Sequence, residues 1–343
     1  MKTIKSILTL LILTVVNVNL FSQVRDYATD PNIDKGTKAF LKLLNAGGAP
    51  LETLSKQDAR NVLINAQASV NVDLSGIEVS EKTITNDGYT VKLNIVRPEG
   101  VRGKLPAFIF VHGGGWILGD FPTHKRFVRD LVVSSGFVGV FVNYTPSPEA
   151  RYPQAINEIY AATKWVATHG DEINVDGKKL AIAGNSVGGN MAAVTALMAK
   201  EKGGPELKLQ ILFWPVTDAT FSQPSYEAYA KDRFLTTSIM KWMWNQYTTD
   251  SKERASRYAS PLQATVEQLK GLPPALIQVA ENDILRDEGE AYGRKLDEAG
   301  VTVTIVRYNG TIHDFGLLNA LATLPTTRSL FEQAGAELRK YLK

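Results

Sequence analysis

Two stretches near the N-terminus carry apolar residues at helical spacing. Thr37 to Ala46 sets Phe40, Leu43 and Leu44 on one face, and Leu54 to Gln67 does the same with Val62, Leu63 and Ala66. Gly47, Gly48 and Pro50 break between them. From Ile77 the period becomes two: Tyr89 to Arg97 alternates Val91, Leu93 and Ile95 against Lys92, Asn94 and Val96, the pattern of a half-buried strand. Short continuous apolar runs follow at Ala107–Val111, Phe137–Val142, Leu180–Ala183, Leu209–Phe213 and Ala275–Val279, with Val301–Val306 as a last strand. Each is too short for a helix and rich in β-branched or aromatic residues. Helical patterns separate most of them, as at Ala155–Thr168 and Val187–Ala199, and Arg328–Tyr341 closes the chain. Apolar strands alternating with helices predict a mostly parallel sheet covered on both faces, an α/β fold.

One interval breaks the rhythm. Between Pro215 and Tyr258 there is no strand pattern but a helix-like run with Met240, Met243, Trp244 and Tyr247 at core-packing spacing. As an insertion at about 217–258, it is expected to fold over the sheet as a cap with the helical segment 23–72; residues 73–343 form the main domain. The first 22 residues differ again. Lys2 and Lys5 precede an apolar run from Ile7 to Val18, and Ser22 follows. A basic start, about a dozen apolar residues and a small residue at the break predict a signal peptide cut after Ser22, hence a secreted or periplasmic protein with no membrane span once mature.

Composition narrows the chemistry by exclusion. The 343-residue chain has no cysteine, which removes thiol nucleophiles, disulfides and lipid-anchoring cysteines together. Its net charge of +3 falls to near neutrality once Lys2 and Lys5 are cleaved off, and no Lys/Arg block occurs, so nucleic acid is not an expected partner. There is no His-Glu-x-x-His pattern and no cysteine, so no spacing supports a metal site.

Candidate chemistry lies at the ends of the predicted strands. Gly184-Asn185-Ser186-Val187-Gly188 stands between the strand Leu180–Ala183 and a helix, where a serine on a sharp turn exposes its hydroxyl above the sheet. His112-Gly113-Gly114-Gly115-Trp116 ends another strand; the amides of Gly113 and Gly114, with that of Val187, are the expected oxyanion donors. No lysine accompanies the glycines, as a phosphate cradle would require, and the spacing does not match a dinucleotide loop. Four histidines are present. His112 leads the glycine run, His124 lies in a helical stretch and His169 ends a helix, which leaves His313 after the last strand as the general base. The acid belongs between serine and histidine in chain order, and Asp283 after Ala275–Val279 is preferred over Glu281 and Asp287.

These motifs, with Asn143-Tyr144-Thr145-Pro146, Tyr152-Pro153, Ala259-Ser260-Pro261-Leu262 and Leu272-Pro273-Pro274, resemble the bacterial hormone-sensitive-lipase-like esterases of the α/β-hydrolase fold, from about Ile77 to the C-terminus. The resemblance implies an eight-stranded sheet under a helical cap and hydrolysis of esters with short acyl chains without a cofactor. The expected partner is a small-molecule ester, with a homodimer left open. Amide hydrolysis, or a non-catalytic receptor on the same fold, are the alternatives. Asn185 and Val187 depart from the family's usual Asp-Ser-Ala, which bears on substrate preference.

Overall fold

The computed structural model describes residues 26–343; the apolar N-terminal run and the expected cut after Ser22 lie outside them. Eight strands form one sheet: β1 (Ile77–Asn86), β2 (Tyr89–Pro98), β3 (Leu105–Val111), β4 (Val138–Asn143), β5 (Val175–Asn185), β6 (Leu209–Phe213), β7 (Ala275–Asn282) and β8 (Val303–Ile312). Their order is β1-β2-β4-β3-β5-β6-β7-β8. The first two form a hairpin through Asp87 and Gly88, both at positive φ as a tight type I′ turn requires. β2 runs antiparallel to β4, and every later pair is parallel. The helices are α1 (Lys35–Leu44), α2 (Lys56–Ala68), α3 (Phe121–Ser135), α4 (Gln154–His169), α5 (Val187–Glu201), α6 (Ser225–Ala228), α7 (Thr237–Tyr247), α8 (Ser251–Arg254), α9 (Val266–Leu269), α10 (Arg286–Glu298) and α11 (Pro325–Leu342).

The continuous apolar runs sort themselves by face. On β3, Phe108 and Phe110 join the layer under α3 and α11, while Ile109 and Val111 join the layer under α4, α5 and α10. The register then sets large against small, Phe108 opposite Ala181 and Phe110 opposite Ala183, so bulky rings fit where the neighbouring strand offers only methyl groups. Helix α5 is buried from Val187 to Ala199, which explains its nearly unbroken apolar sequence.

Two expectations shift. β8 runs on to Ile312 although Arg307, Asn309 and Gly310 look like the end of a strand. As an edge strand its polar side chains face water while its backbone still pairs with β7, as at Asn282 opposite Ile312. In the N-terminal helices the apolar spacing is right only in part: Leu63 is buried and Phe40 packs on the core, but Leu43, Leu44 and Val62 are exposed, and the other buried positions are Thr37, Leu41, Ala59 and Gln67. Polar tertiary partners decide this, since Gln67 donates to the carbonyls of Thr123 and Leu317.

The N-terminal segment attaches to loops that follow the strands. Arg60 binds the Ile117 and Ser147 carbonyls and Glu149, Asn282 donates to the Asn32 carbonyl, and Ile33 bridges to Gly310. The segment after β6 covers the same end, with Trp244 and Tyr247 of α7 packed on Trp116. Among the described residues no helix is long and apolar enough to cross a membrane.

Beneath this layer Glu288 is wholly buried and accepts from the Thr217 amide at 2.7 Å. Burial pushes its carboxyl well above the ordinary 4.5. The folded state then holds a proton that the unfolded chain loses, so stability falls as pH rises above about 4.5. Glu288→Gln keeps the acceptor and removes that dependence. Its stability relative to the parent should grow by up to about 1.4 kcal/mol per pH unit above this point, read from urea midpoints between pH 5 and 8.

Candidate active site

β5 delivers Ser186 straight into α5 through a turn with almost no spare room. Ser186 has φ 56° and ψ −122°, outside the regions that side-chain-bearing residues favour. Its conformation is held from three sides: its amide donates to the Phe213 carbonyl at 2.9 Å, and its own carbonyl accepts from Asn190 at 3.1 Å and Val216 at 3.2 Å. Ser186 makes no side-chain cap to α5, so its hydroxyl is available elsewhere and the first-turn amides stay open.

The glycine loop after β3 packs against this turn. A Cβ at Gly188 would stand 2.1 Å from the Val111 carbonyl oxygen, so the two backbones are in direct contact. The Gly113 amide donates to Asn185 Oδ1 at 2.9 Å. That bond corrects the expected oxyanion set, because Gly113 has already used its donor. The amides of Gly114, Gly115 and Val187 meet no acceptor among the described residues. Gly114 and Gly115 sit at φ 104° and 65°, where a Cβ would strain the turn.

β8 and β7 bring up the remaining groups. The His313 ring lies between Ser186 Oγ, 3.0 Å from Nε2, and Asp283 Oδ2, 2.7 Å from Nδ1. The carboxylate can only accept, so Nδ1 carries the proton and Nε2 is free to accept from the serine. Asp283 also accepts from the Leu285 amide at 3.0 Å, which fixes its rotamer. The two other acids weighed in the sequence lie apart: Glu281 accepts from the Gly310 amide, and Asp287 holds Ser225 and Arg286.

A family model described as α/β hydrolase fold matches residues 108–317, more than half of the chain. The chain belongs to the α/β-hydrolase family. Carboxylesterase NlhH of Mycobacterium tuberculosis is 34% identical over 274 residues, covering 78% of this chain and 84% of its own. Ethyl acetate hydrolase of Pseudomonas putida is 31% identical over 291 residues, covering 81% and 90%. The crystal structure of a thermostable esterase from Pseudomonas putida ECU1011 superposes with a TM-score of 0.91 at 63% identity, over 92% of this chain and 99% of that one. The resemblance to hormone-sensitive-lipase-like esterases read from the motifs agrees with these matches.

In this α/β-hydrolase the sequence had not pointed to a second carboxylate at the histidine. Asp314 Oδ2 stands 3.8 Å from His313 Nε2. Its other oxygen accepts from Trp214 Nε1 at 2.7 Å and Asn185 Nδ2 at 3.0 Å. Asn185 therefore accepts from the glycine loop with one atom and donates to the histidine loop with the other, which an ionised aspartate cannot do. Burial acts to lower the His313 pKa, but the charges of Asp283 and Asp314, with the hydrogen bond to Asp283, outweigh it and the net shift is upward from 6.5. The other buried histidines stay neutral. Burial pulls His112 down to about 4, and its ring is stacked between Phe141 and Tyr144 with Nδ1 donating to the Gly113 carbonyl. His124 is lowered well below its ordinary value by burial, and His169 stacks on Trp165 at the end of α4.

Two open clefts, of about 600 and 560 Å³, are lined by residues such as Tyr160, Lys202, Glu149 and Arg151, and Ser186 is in neither. The serine lies instead beneath the covering segments, 4% exposed. The tight backbone contact yields a direct expectation. In a helix Ala is favoured over Gly by about 1 kcal/mol. At Gly188 the overlap with the Val111 carbonyl should win, so that Gly188→Ala loses about 1–3 kcal/mol in chemical denaturation and at least tenfold in kcat through displacement of the glycine loop.

Proposed function

We propose that this α/β-hydrolase is a serine carboxylesterase acting on small esters with short acyl chains. The observation that carries the reading is the unbroken line Ser186–His313–Asp283, with spacings of 3.0 and 2.7 Å, beside free amides at a helix N-terminus. Ser186 attacks the ester carbonyl as His313 Nε2 takes its proton, while Asp283 holds the tautomer and stabilises the imidazolium. The amides of Gly114, Gly115 and Val187 receive the oxyanion, each worth roughly 2.7–4 kcal/mol of transition-state stabilisation. His313 then protonates the departing alkoxide, and water attacks the acyl-enzyme by the same route. Similarity to relatives named carboxylesterase and ethyl acetate hydrolase supports esters as substrates and small groups on both sides of the bond. The reading extends to the first 22 residues as an export signal, which N-terminal sequencing of the exported protein would test.

Pre-steady-state hydrolysis of p-nitrophenyl acetate should show a burst of one nitrophenolate per chain, and Ser186→Ala should remove it along with labelling by a fluorophosphonate. A burst that survives the substitution would sink the assignment.

The electrostatics give a pH profile with a definite sign. Only neutral His313 can accept the serine proton, so kcat/KM should rise with pH on a limb centred above 6.5. Asp314→Asn removes one of the charges that holds the imidazolium, and the limb should move to lower pH while the maximal rate depends on Asp283 as before. A limb that stays in place after this substitution would mean that Asp314 does not act on the histidine.

A further inference from the structure

Phe234 has a position in the molecule that the catalytic line does not explain. It belongs to the segment after β6, and its ring lies over His313 with centroids 6.4 Å apart and planes within 22°. Trp214 meets the same imidazole edge-on at 6.4 Å, so two aromatics border the ring. Phe234 is the one partly buried residue that packs against both apolar layers of the described fold. Its backbone is at φ 73° and that of Asp232 at φ 60°, a strained conformation for a bulky side chain. Such strain persists only where surrounding contacts over-determine it, and it gathers at functional sites.

Those contacts come from the other end of the chain. Arg233 Nη2 pairs with Asp30 Oδ2 at 2.9 Å, both side chains being almost fully buried. Asn45 Nδ2 donates to the Asp232 carbonyl at 3.2 Å, and Phe40 of α1 meets the Phe234 ring at 6.3 Å. The guanidinium of Arg233 also lies over Tyr229, whose hydroxyl accepts from Arg286 just beyond Asp283. The segment around Phe234 is thus fastened to the N-terminal region on one side and to the acid loop on the other.

We infer that Asp30, Phe40 and Asn45 clamp the 232–234 segment so that Phe234 forms the wall beside His313 and sets the size of the alcohol group an ester can carry. The inference rests on the esterase reading, because it is His313 that protonates the leaving alkoxide and the alcohol must therefore lie against whatever borders that ring. His313 is 3% exposed, so a substrate's leaving group meets the covering side chains before it meets solvent. Phe234 is then a specificity-determining residue, and Asp30 a positioning residue that acts through it.

The test compares kcat/KM for 1-phenylethyl acetate with that for methyl acetate. Phe234→Ala should raise this ratio about tenfold, the lower end of what a changed apolar wall does. Asp30→Asn should raise it about threefold in the parent and by less than twofold in the Phe234→Ala background, since a clamp acting through a ring has nothing to hold once the ring is gone. If Asp30→Asn does not fold, Phe40→Ala gives the same comparison without touching the buried ion pair. An unchanged ratio in Phe234→Ala overturns the wall, and equal increments in both backgrounds overturn the clamp. Failure of the parent to hydrolyse methyl acetate would instead strike at the esterase reading itself.

Discussion

The left-handed serine between β5 and α5 is the constraint on which the site depends. A residue with a side chain at φ 56° is unfavourable by roughly 1–3 kcal/mol and reverts unless its surroundings forbid it. Here the surroundings are backbone: Phe213, Val216 and Asn190 take up both polar groups of Ser186, and Gly188 lets α5 press on the end of β3. The same contact that enforces the turn also brings the glycine loop beside the helix N-terminus. Strain at Ser186 and assembly of the free amides are one arrangement seen from two sides.

Electrostatics then follow from burial. Imidazole between two carboxylates in a dry site favours its protonated form more than burial alone would allow. Asp314 is held to that place by Trp214 and Asn185, neither of which touches the serine hydroxyl. Asn185 also takes the Gly113 amide, so the amides left free lie one residue further along the glycine run. An aspartate there would lack the donor that Asn185 offers and would add a second negative charge beside Asp314. The departure from the usual motif thus has a specific partner in this chain.

The covering segments show how a buried site can be enclosed by residues distant in the chain. α1, α2 and the 26–34 stretch bond mainly to loops at the carboxyl ends of strands, and the segment after β6 is fixed between them and the acid loop. Their apolar faces belong to the same layers as the sheet, with Ala59 and Leu63 joined to the layer under α4 and α5. Covering segments and sheet thus share one apolar layer.

The elements and the order of the chemistry were legible in the chain alone. Short apolar runs between helical patterns could only pair as a parallel sheet, and a serine, an acid and a histidine each at the end of its own strand fall at one edge because parallel strands end on the same side. What depends on directions in space came only with the packed fold. Spacing could not reveal that Gly113 spends its amide on Asn185, since a backbone donor is lost only to an acceptor brought in from another loop. Nor could it show Asp314 reaching the histidine beside it, because a neighbour in sequence becomes a neighbour in space only when the turn has its observed φ of 59°. Leu43 and Val62 carry the same lesson: helical period fixes which residues share a face, while the packing partner chooses which face is buried.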